Sequence, residues 1–148
     1  MLNLRNNKGF TLIELVITIA IISILAGLSI PVYLNFQTRN DLSISAHSLS
    51  HIYRRAQKMS QGVVGDETWG VDVASGQITL FKGISYVARD TGFDEPIVIP
   101  GNTVVTGLSE VVFDKLTGDP QQTGITTLTS VNGEVETVQI NSKGMAEY

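Results

Sequence analysis

Hydrophobic residues follow three rhythms along the chain. From Leu15 to Val32 the run LVITIAIISILAGLSIPV is apolar almost throughout, with Thr18, Ser23 and Ser29 its only polar members and no charge. Taken from Phe10 to Leu34 at 1.5 Å per residue, it predicts a helix of roughly 37 Å, enough to cross a bilayer. Within it Gly27 and Pro31 are poor helix interiors and predict a kink or a locally melted turn. The second rhythm is helical and one-sided. Leu42, Ala46, Leu49, Tyr53, Ala56 and Met59 recur at steps of three and four, while Arg39, Ser43, Ser50, Arg54 and Lys58 fall elsewhere, on positions expected to be solvated. The helix is expected to end near Gln61, with Gly62 as its C-cap.

The third rhythm is strand-like. Residues 69–73 alternate, Gln77–Phe81 and Ile84–Ala88 flank Lys82-Gly83, Ile97, Val98 and Ile99 lie between two prolines, and Glu110–Phe113 precedes the turn-rich Thr117–Pro120. Ile125–Val131 and Glu134–Ile140 bracket Asn132-Gly133, a strong hairpin signal, and a last turn falls at Lys143-Gly144. The predicted fold class is α+β: a long N-terminal helix, with a transmembrane half and an amphipathic half, packed on a C-terminal antiparallel β-sheet head. The expected organisation is a leader over 1–9, a membrane and assembly helix over 10–34, the amphipathic half over 35–62 and a β-rich head over 63–148.

Charge sharpens this division. Arg5 and Lys8 precede the apolar run and place the N-terminus on the cytoplasmic side, with everything beyond Leu34 outside. From Met59 onward four basic residues oppose twelve acidic ones, so most of the head repels nucleic-acid phosphates. The chain has no cysteine, which excludes disulfides, thiol nucleophiles and Cys-based metal sites. His47 and His51 are four apart on the predicted helix and could face one another across a metal. The H-E-x-x-H pattern is absent, however, and neither a nucleophile elbow nor a glycine-rich phosphate loop occurs. Two solvated histidines are the expectation, with no catalysis, metal or cofactor. A calcium site at Asp114 to Asp119 is conceivable, but its spacing fits no standard loop and turn chemistry accounts for Gly118-Asp119-Pro120.

The apolar run lacks the small-x-small cut site of an ordinary secretory signal, and a plain anchor gives no reason for Glu14. A carboxylate in hydrocarbon costs several kcal/mol and is usually paired or functional. A cut between Gly9 and Phe10 would create an α-ammonium four residues before Glu14, and in a bundle the Phe10 ammonium of one subunit could meet the Glu14 carboxylate of another. Gly9, without a side chain, would let a peptidase approach the scissile bond.

Lys8-Gly9-Phe10-Thr11-Leu12-Ile13-Glu14-Leu15-Val16, followed by apolar residues to Pro31, resembles the class III leader and N-terminal helix of type IV prepilins and type II secretion pseudopilins. The resemblance implies a pilin-like fold and cleavage after Gly9 by a prepilin peptidase that also N-methylates Phe10. It implies Glu14 as the assembly carboxylate and Pro31 as the helix-kinking proline. Implied partners are other pilins or pseudopilins and an inner-membrane assembly platform. The implied location is the cytoplasmic membrane, then a pilus or pseudopilus. Leu49, Arg54-Arg55-Ala56, Trp69-Gly70-Val71, Val112-Phe113, Gly118, Val138 to Asn141 and Gly144 are similar to the GspH/FimT group of minor pseudopilins and minor pilins. That second resemblance implies a minor structural subunit. Some members of the group bind DNA during uptake, a role that would need an exposed basic patch on the head.

Overall fold

The computed structural model describes residues 9–148, apart from the side chains of residues 28–32. The leader positions Arg5 and Lys8 and the side chain of Pro31 lie outside the described residues. A single helix, α1, runs unbroken over Leu12–Gln61, so no melted turn interrupts it at Gly27 or Pro31. The chain divides into two compact units, Met1–Phe36 and Gln37–Tyr148.

Within the second unit, the later part of α1 buries the stripe read from the sequence. Leu42, Ala46, Leu49, Tyr53 and Ala56 are buried and Met59 packs partly against them. Ser50, expected in solvent, is buried as well, its hydroxyl donating to the Ala146 carbonyl at 3.4 Å. The helix ends at Gln61, as expected, but the residue that leaves it left-handed is not Gly62. Gly62 still donates its N–H to the Lys58 carbonyl at 2.8 Å, and the residue that turns left-handed is Val63, at φ 53° and ψ 38°. A 3-10 turn at Val64–Asp66 follows, with Gly65 and Asp66 also at positive φ.

Eight strands follow, β1 (Trp69–Ala74), β2 (Gln77–Lys82), β3 (Asp90–Val98), β4 (Val104–Gly107), β5 (Glu110–Phe113), β6 (Gly124–Thr129), β7 (Val135–Ile140) and β8 (Ala146–Glu147). They form two four-stranded sheets rather than one, in the orders β3-β2-β1-β5 and β4-β6-β7-β8, with every pairing antiparallel. One hydrophobic core joins helix and sheets: Leu49 and Tyr53 of α1 meet Val71, Leu80 and Phe113 of the first sheet and Leu128 and Val138 of the second. Tyr53 carries a polar link through this core. Thr126 donates its hydroxyl proton to the Leu108 carbonyl at 2.5 Å, so Tyr53 donates to Thr126 at 3.1 Å. Burial pushes the Tyr53 phenol up to about 12.

Residues 84–88 form no strand. Ile84 and Val87 stay exposed, and Tyr86 packs against Phe81 of the first sheet. The Tyr86 N–H donates to the Glu110 carboxylate at 2.8 Å, the Ala88 N–H to the Ser85 hydroxyl at 3.2 Å, and the Tyr86 carbonyl accepts from Arg89 at 2.6 Å. Phe81 lies fully buried across from Gly70, its register partner. A Cβ at Gly70 would sit 2.4 Å from the Phe81 ring, so only glycine leaves room for this stack. Tyr86 meets Phe81 edge-on at 5.6 Å, and Arg89 lies 3.7 Å over the Tyr86 ring while donating to both Asp94 oxygens at 2.8 and 3.0 Å.

Candidate assembly site

The first unit presents the residues singled out around Gly9. Thr11 precedes α1, and Glu14 lies in its first turn. The two complete a reciprocal cap: the Glu14 N–H donates to the Thr11 hydroxyl at 3.3 Å, and the Glu14 carboxylate accepts from the Thr11 N–H and hydroxyl, each at 3.4 Å. This is the Ser/Thr-x-x-Glu capping box, which satisfies helix donors that otherwise have no partner. Its distances are at the long end for hydrogen bonds, so the carboxylate is held loosely and can change partners at small cost. The positive end of the helix favours its charge as well. Glu14 therefore has partial compensation within its own chain before any neighbour arrives.

The surface beyond this cap is apolar all round. Phe10 is 88% exposed, and Leu12, Ile13, Val16, Ile22 and Leu25 are all more than half exposed. A helix that is hydrophobic on every side must find its apolar surroundings outside its own chain. The two described hydroxyls in the run do not disturb that surface. Thr18 donates to the Leu15 carbonyl at 2.8 Å and Ser23 to the Ile19 carbonyl at 2.7 Å, so each is satisfied by the helix itself. Among the described residues no helix is long and apolar enough to cross a membrane. The span expected over 10–34 includes residues 28–32, whose side chains are not among those described.

Gly9 and Gly27 have open space around them: a Cβ at either would meet nothing within 4 Å. Neither glycine is at positive φ. The described residues thus give no internal reason for glycine at either position. Thr11 is the functional residue that the sequence reading passed over. Its signal was present as Thr-x-x-Glu directly before an apolar run.

The other candidates separate from this site. His47 is exposed, its ring edge-on to Tyr148 at 4.2 Å, and His51 is exposed too. Among the described residues no group of three or more His, Asp or Glu side chains could hold a metal. Asp114 and Asp119 belong to a closed turn, with the Asp114 N–H donating to the Asp119 carbonyl at 2.9 Å and Gln121 donating to the Asp114 carboxylate at 2.8 Å.

A capped, apolar, fully exposed N-terminal helix leading into an α+β head defines a pilin-like protein. Residues 4–30 match the family described as the prokaryotic N-terminal methylation motif. The chain is 50% identical over 52 residues to the type IV major pilin protein PilA of Myxococcus xanthus, covering 35% of this chain and 23% of the relative. It is 58% identical over 36 residues to the type IV major fimbrial protein FimA of Dichelobacter nodosus, 24% of this chain and 23% of the relative. It is 39% identical over 54 residues to a fimbrial protein of Pseudomonas aeruginosa, 36% of this chain and 35% of the relative. The chain thus spans between about a quarter and about a third of the curated relatives it matches. No solved structure matches it. The N-terminal methylation motif is present over residues 4–30, and a stretch of about a third of the chain is similar to type IV pilins. These matches give no specific support to the GspH/FimT group.

Proposed function

We propose that the chain is a non-catalytic structural subunit of a type IV pilus or a type II secretion pseudopilus, and within either a minor one. In this reading a prepilin peptidase cuts between Gly9 and Phe10 and N-methylates Phe10. Residues 10–34 then hold the subunit in the cytoplasmic membrane, head outside, until an assembly platform extracts it. Other pilins or pseudopilins replace lipid around the helix, and the new Phe10 ammonium of one subunit neutralises Glu14 of another. Gly27 and Pro31 supply a place for the helix to bend.

The observation that carries the reading is a single carboxylate at the head of an apolar helix exposed on all sides, held by Thr11 three residues earlier at no less than 3.4 Å. The open surroundings of Gly9 support it too, because a glycine without an internal reason fits a backbone that an enzyme must approach. The minor role rests on the scattered GspH/FimT-like positions and on the absence of cysteine for a disulfide-closed C-terminal loop. Mass spectrometry of the chain isolated from its own cells tests the processing. A mature species starting at N-methylated Phe10 is expected; an intact Met1 or a cut elsewhere overturns the reading.

A further inference from the structure

The basic residues of the second unit are used very unevenly. Arg39, Arg55, Arg89 and Lys115 each hold a carboxylate, on Glu134, Glu95, Asp94 and Asp66 respectively. Lys82 lies over the Phe93 ring at 4.4 Å. Among the described residues that leaves Arg54, Lys58 and Lys143 with no ion pair, and all three lie along the seam between α1 and the C-terminal segment. A cleft of about 330 Å³ opens there, lined by Arg54, Gln57, Lys58, Met145, Ala146 and Glu147. Arg54 donates to the Ala146 carbonyl at 3.1 Å, and Gln57 donates to the Lys143 carbonyl at 2.7 Å, so the walls are pinned together. Glu147 also lines the cleft but forms no ion pair with either cation. Met145, about half exposed, gives it an apolar floor for the stem of an acidic side chain.

The rest of the head carries the complementary surplus. Asp72 and Glu110 are register partners on adjacent strands, where like charges repel. Arg89, the cation that acts on Asp72, is already committed to Asp94. We propose that the Arg54–Lys58–Met145 cleft docks the acidic surface of the head of a second copy of this chain, with the Asp72–Glu110 pair having the most to gain from an arriving cation. One patch meets a different patch, so the contact is heterologous and propagates instead of closing. The inference rests on the assembly reading above but not on the minor role, since it needs copies of this chain as neighbours, and it adds the head-to-head contact that the apolar helix does not supply.

The test uses the full-length mature chain in non-ionic detergent, prepared in light and heavy nitrogen-isotope forms, mixed, and treated with a zero-length carbodiimide at low salt. Cross-linked peptides joining a light chain to a heavy one, through Lys58 or Lys143 and an acid within residues 59–148, are expected. The amine needed for coupling is lost with either lysine, so Lys58→Glu with Lys143→Glu is read by sedimentation equilibrium in density-matched detergent: the reversed chain should self-associate about tenfold more weakly than the parent, and the Gln versions should lose less, because juxtaposed like charges repel beyond simple loss of attraction. Arg54 is left intact because it holds the Ala146 carbonyl. Links found only within one chain, or self-association indifferent to charge reversal, overturn the inference. So does a short DNA duplex that binds in the same buffer and is lost in the reversed variant. A chain that is processed at Gly9 and polymerises without mixed links sinks the docking contact alone, whereas a chain never cut there sinks the assembly reading.

Discussion

Glu14 is at once part of a cap and a charge awaiting a stronger partner, and the two roles predict different mutants. Removing the Thr11 hydroxyl takes away one donor to the carboxylate and the acceptor that the Glu14 N–H uses. Thr11→Ala should destabilise the first turn by about 0.5–2 kcal/mol. Backbone amide exchange at residues 12–15 in detergent would show it as faster exchange at the helix start, with the rest of α1 unaffected. At Tyr53 the chemistry is burial. Its phenol titrates normally near 10 when unfolded and near 12 when folded, so the stabilisation is complete below pH 10 and disappears as pH rises through 12. Unfolding followed across pH 9–12 should show stability falling, and Tyr53→Phe should flatten that fall. At neutral pH the same variant strands the Thr126 acceptor and costs on the order of 1 kcal/mol.

Elements show which parts of the fold could be read from the chain and which could not. The buried stripe of α1 was legible because five of its six positions pack on a continuous core and so obey a single period. Strands β1, β2, β5, β6 and β7 were legible for the same reason, since each places alternate residues on that core. Strand β4 was not, and β3 was legible only at its end, Ile97 and Val98. Both are edge strands, largely exposed, and nothing forces hydrophobic alternation on them. Residues 84–88 were misread because Ile, Tyr and Val favour strands only where a neighbouring strand is free to pair. Here Glu110, Ser85 and Arg89 side chains take their backbone groups instead. The helix end at Gln61 was legible, but no propensity foretells a valine at φ 53°, so the left-handed turn at Val63 was invisible beside Gly62. The Phe81–Gly70 stack gives the element-scale prediction. Gly70→Ala forces a methyl into the aromatic ring and should cost about 1–3 kcal/mol, and Phe81→Ala about 3–5 kcal/mol. Denaturant melts of both variants would measure this.

At the scale of the whole molecule, the N-terminal and head units obey opposite rules. The head buries its own apolar residues, whereas residues 10–27 bury none of theirs. Such a chain is incomplete alone, and its apolar helix has to be covered by lipid or by other helices. In the proposed function, anchoring before assembly and burial after it are two answers to the same demand, and Glu14 would decide between them, since lipid offers it no counter-charge. The most direct measurement is therefore competitive. Parent and Glu14→Val chains are expressed together in equal amounts, filaments are sheared from the cells, and the ratio of the two is read by mass. The account predicts that Glu14→Val is cut after Gly9 and stays in the membrane, yet is depleted at least about tenfold from the filaments, as expected when a charge buried beside it loses its partner. Equal incorporation of the two chains would contradict the account.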